Sequence, residues 1–148
     1  MQSDNNSLRL KNQLCFPIYL CSKEIIRRYV PLLKELDLTY TQYIVMMYFW
    51  EKRESNVRDL GKALLLDPST LTPLLVKLES KGYITRAKSE HDGRNLDVAI
   101  TDKGAMLEEK ALSVPKTMRK CIDLPEDEAK RLYGLIYKVL NHIERNEK

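Results

Sequence analysis

The sequence predicts a mainly α-helical domain interrupted once, past its middle, by a short β-hairpin. Three observations support this. Apolar residues recur at helical spacing on both sides of residue 85. Thr39, Asn56 and Asp67 stand where helix caps are needed, just ahead of such stretches. Between the helical stretches, Tyr83-Ile84-Thr85-Arg86 and Leu96-Asp97-Val98-Ala99-Ile100 flank a polar turn, Ser89-Glu90-His91-Asp92-Gly93-Arg94-Asn95. Its Asp-Gly pair is a hairpin signal.

The chain has 148 residues, which argues for one domain spanning 1–148, and its 43% hydrophobic content supplies a core. A formal net charge of +4 and a pI of 8.9 permit DNA binding without demanding it. No run approaches the roughly 18 apolar residues of a membrane span. Met1-Gln2-Ser3-Asp4-Asn5-Asn6 lacks the basic-then-apolar pattern of a signal peptide. The expectation is a cytoplasmic protein with no membrane partner. Cysteines at 15, 21 and 121 match neither a disulfide framework nor metal-ligand spacing, and His91 and His142 are the only histidines. No metal, no cofactor and no histidine-based catalysis are expected.

In chain order, residues 8 to 34 read as an amphipathic helix, with Pro17 marking a start or a break. Thr39-Tyr40-Thr41 caps a second helix running to Phe49 or Trp50, and Asn56 caps a third, Val57 to Leu65. In the next helix, within residues 66 to 82, Asp67 or Ser69 is the cap and Gly82 the stop. Leu71, Leu74, Leu75 and Leu78 follow i, i+3, i+4, i+7 and face inward, leaving Ser69, Thr72, Pro73, Val76 and Lys77 outward. Thr101-Asp102-Lys103-Gly104 opens a further helix that Pro115 limits or kinks. Asp123 and Glu126 have capping-box spacing for a last helix. There Leu132, Ile136, Val139 and Ile143, widened by Leu135 and Leu140, form a stripe that needs a partner surface, either its own domain or a second subunit.

Two helices joined by a tight turn and followed by a hairpin form a winged helix–turn–helix plan, in which the second helix enters the major groove. A small α+β domain with a charged loop is the plainer alternative. On the first reading, Arg94 at the hairpin tip reaches a narrow minor groove while Asp92 orients it. Ser69, Thr70, Thr72 and Pro73 offer hydroxyl and apolar surface suited to thymine methyls and mixed base edges, hence an A·T-rich operator. Lys77 and Arg86 complete the DNA-binding candidates.

Asp92-Gly93-Arg94-Asn95, continuing to Ile100-Thr101-Asp102-Lys103-Gly104, resembles the D-x-R, T-x-x-G wing signature of the MarR family of transcriptional regulators. Leu66 to Leu75 is similar to the recognition helix of its organic-hydroperoxide-sensing branch, the OhrR type, as is Asn12-Gln13-Leu14-Cys15-Phe16 at the front. The resemblance covers residues 8 to about 145. It implies a homodimer held by N- and C-terminal helices (about 8–38 and 102–146) around a winged helix–turn–helix region (about 39–101). The dimer would bind a palindromic double-stranded operator. It also implies a reactive thiol at Cys15, hydrogen-bonded by tyrosines at the positions of Tyr29 and Tyr40, with Tyr19 one turn from the sulfur.

If residues 15 to 29 are one helix, 14 steps of about 1.5 Å separate Cys15 from Tyr29 by ~21 Å. They then meet only across antiparallel first helices of two chains. Peroxide attacks thiolate, and a free cysteine, with a pKa of about 8.5, is mostly protonated at neutral pH. Phenol donors and a helix N-terminus favour the anion, and a helix started by Pro17 would place Cys15 just before that end. Apolar neighbours (Leu14, Phe16, Met46 and Met47) would favour organic peroxides. Without the resemblance, Cys15 reads as a buried small hydrophobe.

Cys21 points elsewhere around the helix and reads as structural. Cys121, in Met118-Arg119-Lys120-Cys121, reads either as an incidental surface thiol or, by the resemblance, as the cysteine that resolves oxidised Cys15 of the other subunit. The function expected is a repressor that releases its operator when organic hydroperoxide oxidises Cys15. The alternatives are a MarR-type regulator released by a small phenolic ligand in a dimer crevice and, remotely, a thiol peroxidase.

Overall fold

The computed structural model describes residues 6 to 146. Among the described residues, seven α-helices and three short strands follow in the order α1 (Cys15–Lys34), α2 (Tyr40–Lys52), β1 (Glu54–Asn56), α3 (Val57–Leu64), α4 (Pro68–Ser80), β2 (Ile84–Lys88), β3 (Leu96–Ile100), α5 (Asp102–Ala111), α6 (Ser113–Ile122) and α7 (Glu126–Asn146). The architecture is mainly helical with a small antiparallel sheet, as the hydrophobic spacing predicts. The chain divides between Val114 and Pro115 into two compact units. Among the described residues, no helix is long and apolar enough to cross a membrane.

The caps explain most boundaries. Thr39 Oγ1 accepts from the Gln42 N–H at 3.3 Å, and Gln42 Oε1 accepts from the Thr39 N–H at 3.1 Å, a complete capping box for α2. Asn56 caps α3 by accepting from Asp59 N–H at 2.8 Å. Asp67 caps α4 through Thr70 N–H at 3.0 Å, and Pro68 takes the first helical position. Leu65 and Gly82 turn the chain out of α3 and α4 at φ 52° and 76°. Leu71, Leu74, Leu75 and Leu78 are buried as expected, whereas Val76, Lys77 and the start of α4 stay exposed.

Two boundaries differ from the sequence reading. Residues 8 to 14 do not extend α1; Leu10–Asn12 form a 3-10 turn instead. Asn12 and Gln13 donate their side-chain amides to the carbonyls of Asn6 and Ser7. A helix continued backwards would drive the Pro17 ring into the Gln13 carbonyl, so Pro17 occupies the first turn, where its missing N–H costs nothing. The expected limit near Pro115 is present: α5 ends at Ala111 and the chain breaks at Leu112, since Pro115 has no N–H to give the Ala111 carbonyl and sits in the first turn of α6. The second difference is that Asp123 does not cap the last helix. It ends α6 at φ 49°, its N–H bonded to Arg119 O, and α7 begins from the Pro125 carbonyl.

The sheet has the order β1-β3-β2, all antiparallel, with Ile84 opposite Ile100 and Lys88 opposite Leu96. β1, only three residues long, adds Ser55 opposite Val98. The core of the first unit gathers Leu33, Leu36 and Leu38, the inner face of α2, Leu60, the four leucines of α4, Ile84, Val98 and Leu107.

The base of the hairpin is fixed by a small polar hub. Thr101 Oγ1 donates to Gly82 O at 2.6 Å and accepts from Gly104 N–H at 3.0 Å, while Thr101 N–H reaches Tyr83 O at 3.0 Å. A Cβ at Gly104 would lie 2.2 Å from that same Tyr83 oxygen. The T-x-x-G sequence thus has a steric and hydrogen-bonding cause. Gly104→Ala is expected to cost about 2–3 kcal/mol through overpacking. A lower urea midpoint at unchanged slope would report it; a wild-type midpoint would mean that the hub relaxes freely.

Candidate sensing thiol and nucleic-acid interface

Cys15 is the first residue of α1, so its side chain lies at the positive end of a 20-residue helix rather than just ahead of it. It is a free, exposed thiol, as are Cys21 and Cys121. Cys15 is therefore not a buried small hydrophobe within this chain. Tyr19, one turn on, is also exposed and carries Lys23 Nζ 5.6 Å above its ring. Leu14 and Phe16 supply open apolar surface beside the sulfur; Met46 is fully buried in the core and is not part of it. Cys121 lies in α6, one residue before its end, rather than in a lead into the last helix.

Tyr29 and Tyr40, both singled out from the sequence, come together. Their ring centroids are 4.8 Å apart, where the C-terminal half of α1 meets the start of α2. α1 is continuous from Cys15 to Tyr29, so the axial separation is the ~21 Å of a straight helix. No contact between this thiol and these phenols forms within the chain. Tyr43, not singled out from the sequence, completes the cluster 5.8 Å from Tyr29. Its position three residues after Tyr40 on one helix was the available signal. Burial raises the pKa of Tyr29, helped by Tyr40, and raises that of Tyr40. Burial, then Tyr29 and Tyr40, push Tyr43 up to about 12. All three are held as neutral phenols, each with a proton to donate.

The candidate DNA-facing residues sit on two elements. Ser69, Thr70, Thr72, Pro73 and Lys77 are exposed on α4. The Ser69 hydroxyl is turned onto the Asp67 carboxylate, and Thr70 gives its N–H to the same group. Asp92 accepts the Arg94 N–H at 3.1 Å and, through its carbonyl, the Asn95 N–H at 2.8 Å, which shapes the hairpin tip beneath the exposed Arg94. Asp92 also faces Arg58 of α3 at 3.7 Å, a contact between distant sequence positions that no motif signals.

Arg86 is placed differently from a freely presented phosphate contact. Its Nε and Nη2 donate to Glu79 Oε2 at 3.1 and 2.9 Å, and its backbone N–H donates to Glu79 Oε1 at 3.1 Å. Hydrogen bonds and charge from Arg86 lower the Glu79 pKa, which keeps this carboxylate charged. The pair fastens β2 to the C-terminal turn of α4 and fixes the hairpin relative to that helix.

The buried phenols set an alkaline limit. Unfolded tyrosine ionises near 10.0, whereas Tyr43 in the folded chain holds its proton to about 12. Between those values the unfolded state binds fewer protons, so stability falls as pH rises. Tyr29 and Tyr40 act in the same direction. Unfolding midpoints measured from pH 9 to 11.5 should decline, and less steeply in Tyr43→Phe. Equal slopes in the two proteins would refute the assignment.

Comparison with known proteins agrees with this geometry. The family model "Transcriptional regulator SarA/Rot" matches residues 27–110. The organic hydroperoxide resistance transcriptional regulator of Bacillus subtilis is 38% identical over 140 residues, 95% of each chain. The HTH-type transcriptional regulator SarZ of Staphylococcus saprophyticus is 42% identical over 147 residues, 99% of each. AbfR, a Staphylococcus epidermidis protein, is similar in its reduced, DNA-bound structure (TM-score 0.77, 33% identity, 95% of this chain and 99% of that one). It is also similar in a disulfide-formed structure (TM-score 0.64, 30% identity, 94% and 95%). The chain belongs to the MarR-type winged-helix family of transcriptional regulators, in the group that holds the SarA/Rot proteins and the organic-hydroperoxide-resistance regulator.

Proposed function

We propose that this regulator is a repressor that binds a palindromic, A·T-rich operator as a homodimer and releases it when an organic hydroperoxide oxidises Cys15. The reading is carried by one observation: an exposed thiol at the N-terminus of α1 lies ~21 Å along that helix from Tyr29, whose half-buried neutral phenol is paired with that of Tyr40, so thiol and phenols serve one another only between two chains. Exposed apolar side chains along α1 (Ile18, Ile26 and Val30) and along α7 (Leu132, Leu135, Ile136 and Val139) support such pairing, because surfaces of this kind mark interfaces. On this reading about 8–38 and 102–146 dimerise, and 39–101 reads DNA.

The chemistry is that of a thiolate. The Cys15 sulfur attacks the outer peroxide oxygen, the O–O bond breaks, and alkoxide leaves to be protonated as alcohol while the sulfur becomes sulfenate. Tyr29 and Tyr40 of the second chain stabilise the thiolate by donating to it. Sulfenic acid then condenses with a second thiol, releasing water. Cys121 of the other subunit is that thiol in a two-cysteine sensor; a small cellular thiol serves in a one-cysteine sensor. The relatives support the oxidative signal: one is named for organic hydroperoxide resistance, and AbfR exists in a disulfide form.

A second reading has one observation in its favour. A cavity of about 540 Å³ between α1 and α2, lined by Ile26, Val30, Lys34, Leu38 and Tyr40, has the size of a small-ligand site, as a phenolic effector would require.

Operator binding with and without cumene hydroperoxide, in wild type and Cys15→Ser, decides between them. The variant is expected to bind like wild type and ignore peroxide; a variant that still lets go would move the signal off Cys15. On a non-reducing gel, oxidised protein should run as a covalent dimer, and Cys121→Ser should abolish that band. Loss of DNA without the band makes this a one-cysteine sensor.

The wing gives an independent check. Arg94→Ala should weaken operator binding more than tenfold while sedimenting as a dimer, since a minor-groove arginine contact is lost. Unchanged affinity would leave the hairpin without a role in binding.

A further inference from the structure

The candidate sensing cluster and the base of the wing are joined by an unbroken run of aromatic contacts. Tyr40 touches Tyr29 at 4.8 Å between ring centroids, Tyr29 touches Tyr43 at 5.8 Å, and Tyr43 meets the edge of Trp50 at 6.0 Å and 68°. Tyr43 and Trp50 are buried. Trp50 Nε1 donates to the carbonyl of Gly104 at 3.0 Å. That residue lies against Tyr83 O and is bonded to Thr101, the point from which β2 and β3 leave for the wing tip.

We infer that Trp50 is the positioning residue through which Tyr29 and Tyr40 govern the wing: the stack ends in one directional hydrogen bond to the hub that sets how the hairpin leaves the core. The physical reason is packing. A close-packed interior does not absorb a displaced ring by compression; it moves to another arrangement. A shift of Tyr29 or Tyr40 is passed to Tyr43 and Trp50, whose indole must then turn its N–H away from Gly104 or carry α5 with it. The hub has little slack, because Gly104 already stands as near Tyr83 as a residue without a side chain allows. The inference rests on the proposed role of Tyr29 and Tyr40 beside the thiol. It adds the route by which that role reaches DNA.

Trp50 is the single tryptophan of the chain, so its emission reads the stack directly. Two measurements on the full-length protein test the inference. In the first, operator duplex and Tyr29→Phe are each expected to shift Trp50 emission, one acting from the wing and the other from the sensing end. An emission unmoved by operator overturns the inference, whatever peroxide does. If operator shifts the emission while peroxide leaves wild type on DNA, the stack stands and the thiol reading fails. In the second, Trp50→Phe keeps a packed ring and loses the donor. Its Cys15 should oxidise at the wild-type rate by thiol titration, and its reduced form should bind operator within threefold of wild type. The ratio of operator affinity before and after oxidation should fall at least tenfold. An unchanged ratio overturns the inference. Should Trp50→Phe fold poorly, the emission measurement on wild type still decides.

Discussion

The contact on which the rest of the structure depends is the backbone approach of Gly104 to Tyr83. It brings the N-terminus of α5 against the residue that precedes β2, and Thr101 bonds to both sides of the junction. One short segment therefore closes the hairpin, starts α5 and receives the Trp50 hydrogen bond from α2. The remaining wing contacts elaborate this arrangement. Glu79 and Arg86 fix the hairpin to the end of α4, and Asp92 ties the tip to α3 through Arg58. The salt bridge at the tip is exposed at both ends and contributes little by itself. The Arg86 pair is more enclosed and is braced by a backbone hydrogen bond, so it bears more of the orientation.

Much of this was legible in the sequence, because local chemistry decides it. Thr39, Asn56 and Asp67 cap the helices they were expected to cap, since an orphan N–H at a helix start takes the nearest side-chain oxygen. The leucines of α4 are buried at the expected spacing. Where the reading failed, a competing local rule prevailed. Amphipathic spacing over residues 8 to 14 suggested helix, but the Asn12 and Gln13 amides satisfy backbone carbonyls in a tighter turn, and Pro17 forbids backward extension. Asp123 and Glu126 have capping-box spacing, yet Asp123 is needed to end α6 in a left-handed conformation, which aspartate tolerates.

For the candidate site, the sequence offers residues but few of the bonds that fix them. The resemblance to hydroperoxide sensors singled out Tyr29 and Tyr40, and their rings lie in tilted contact. Tyr43, Arg58 and Glu79 were not found, because each acts through a neighbour brought close only by the fold: Tyr29, Asp92 and Arg86 lie 14, 34 and 7 positions away in the sequence. β1 was missed for the same reason. Three polar residues carry no strand signal until Leu96–Ile100 offers an open edge.

The charge distribution bears on how such a regulator lets go. The exposed face of α4 presents hydroxyls, proline and one lysine, and the chain carries only +4 overall. A protein with few phosphate-neutralising side chains draws less of its affinity from counterion release and more from the fit of a few contacts. Such a fit is sensitive to geometry. Two wings and two recognition helices must meet half-sites at a fixed spacing, so a modest rotation of one protomer's hairpin degrades several contacts together. A sensor built this way has no need to unfold its DNA-binding region. On the proposed reading it needs a rigid connection from the second chain's thiol to the wing, and the aromatic run from Tyr29 and Tyr40 to Trp50, with a single directional bond at its end, would supply one.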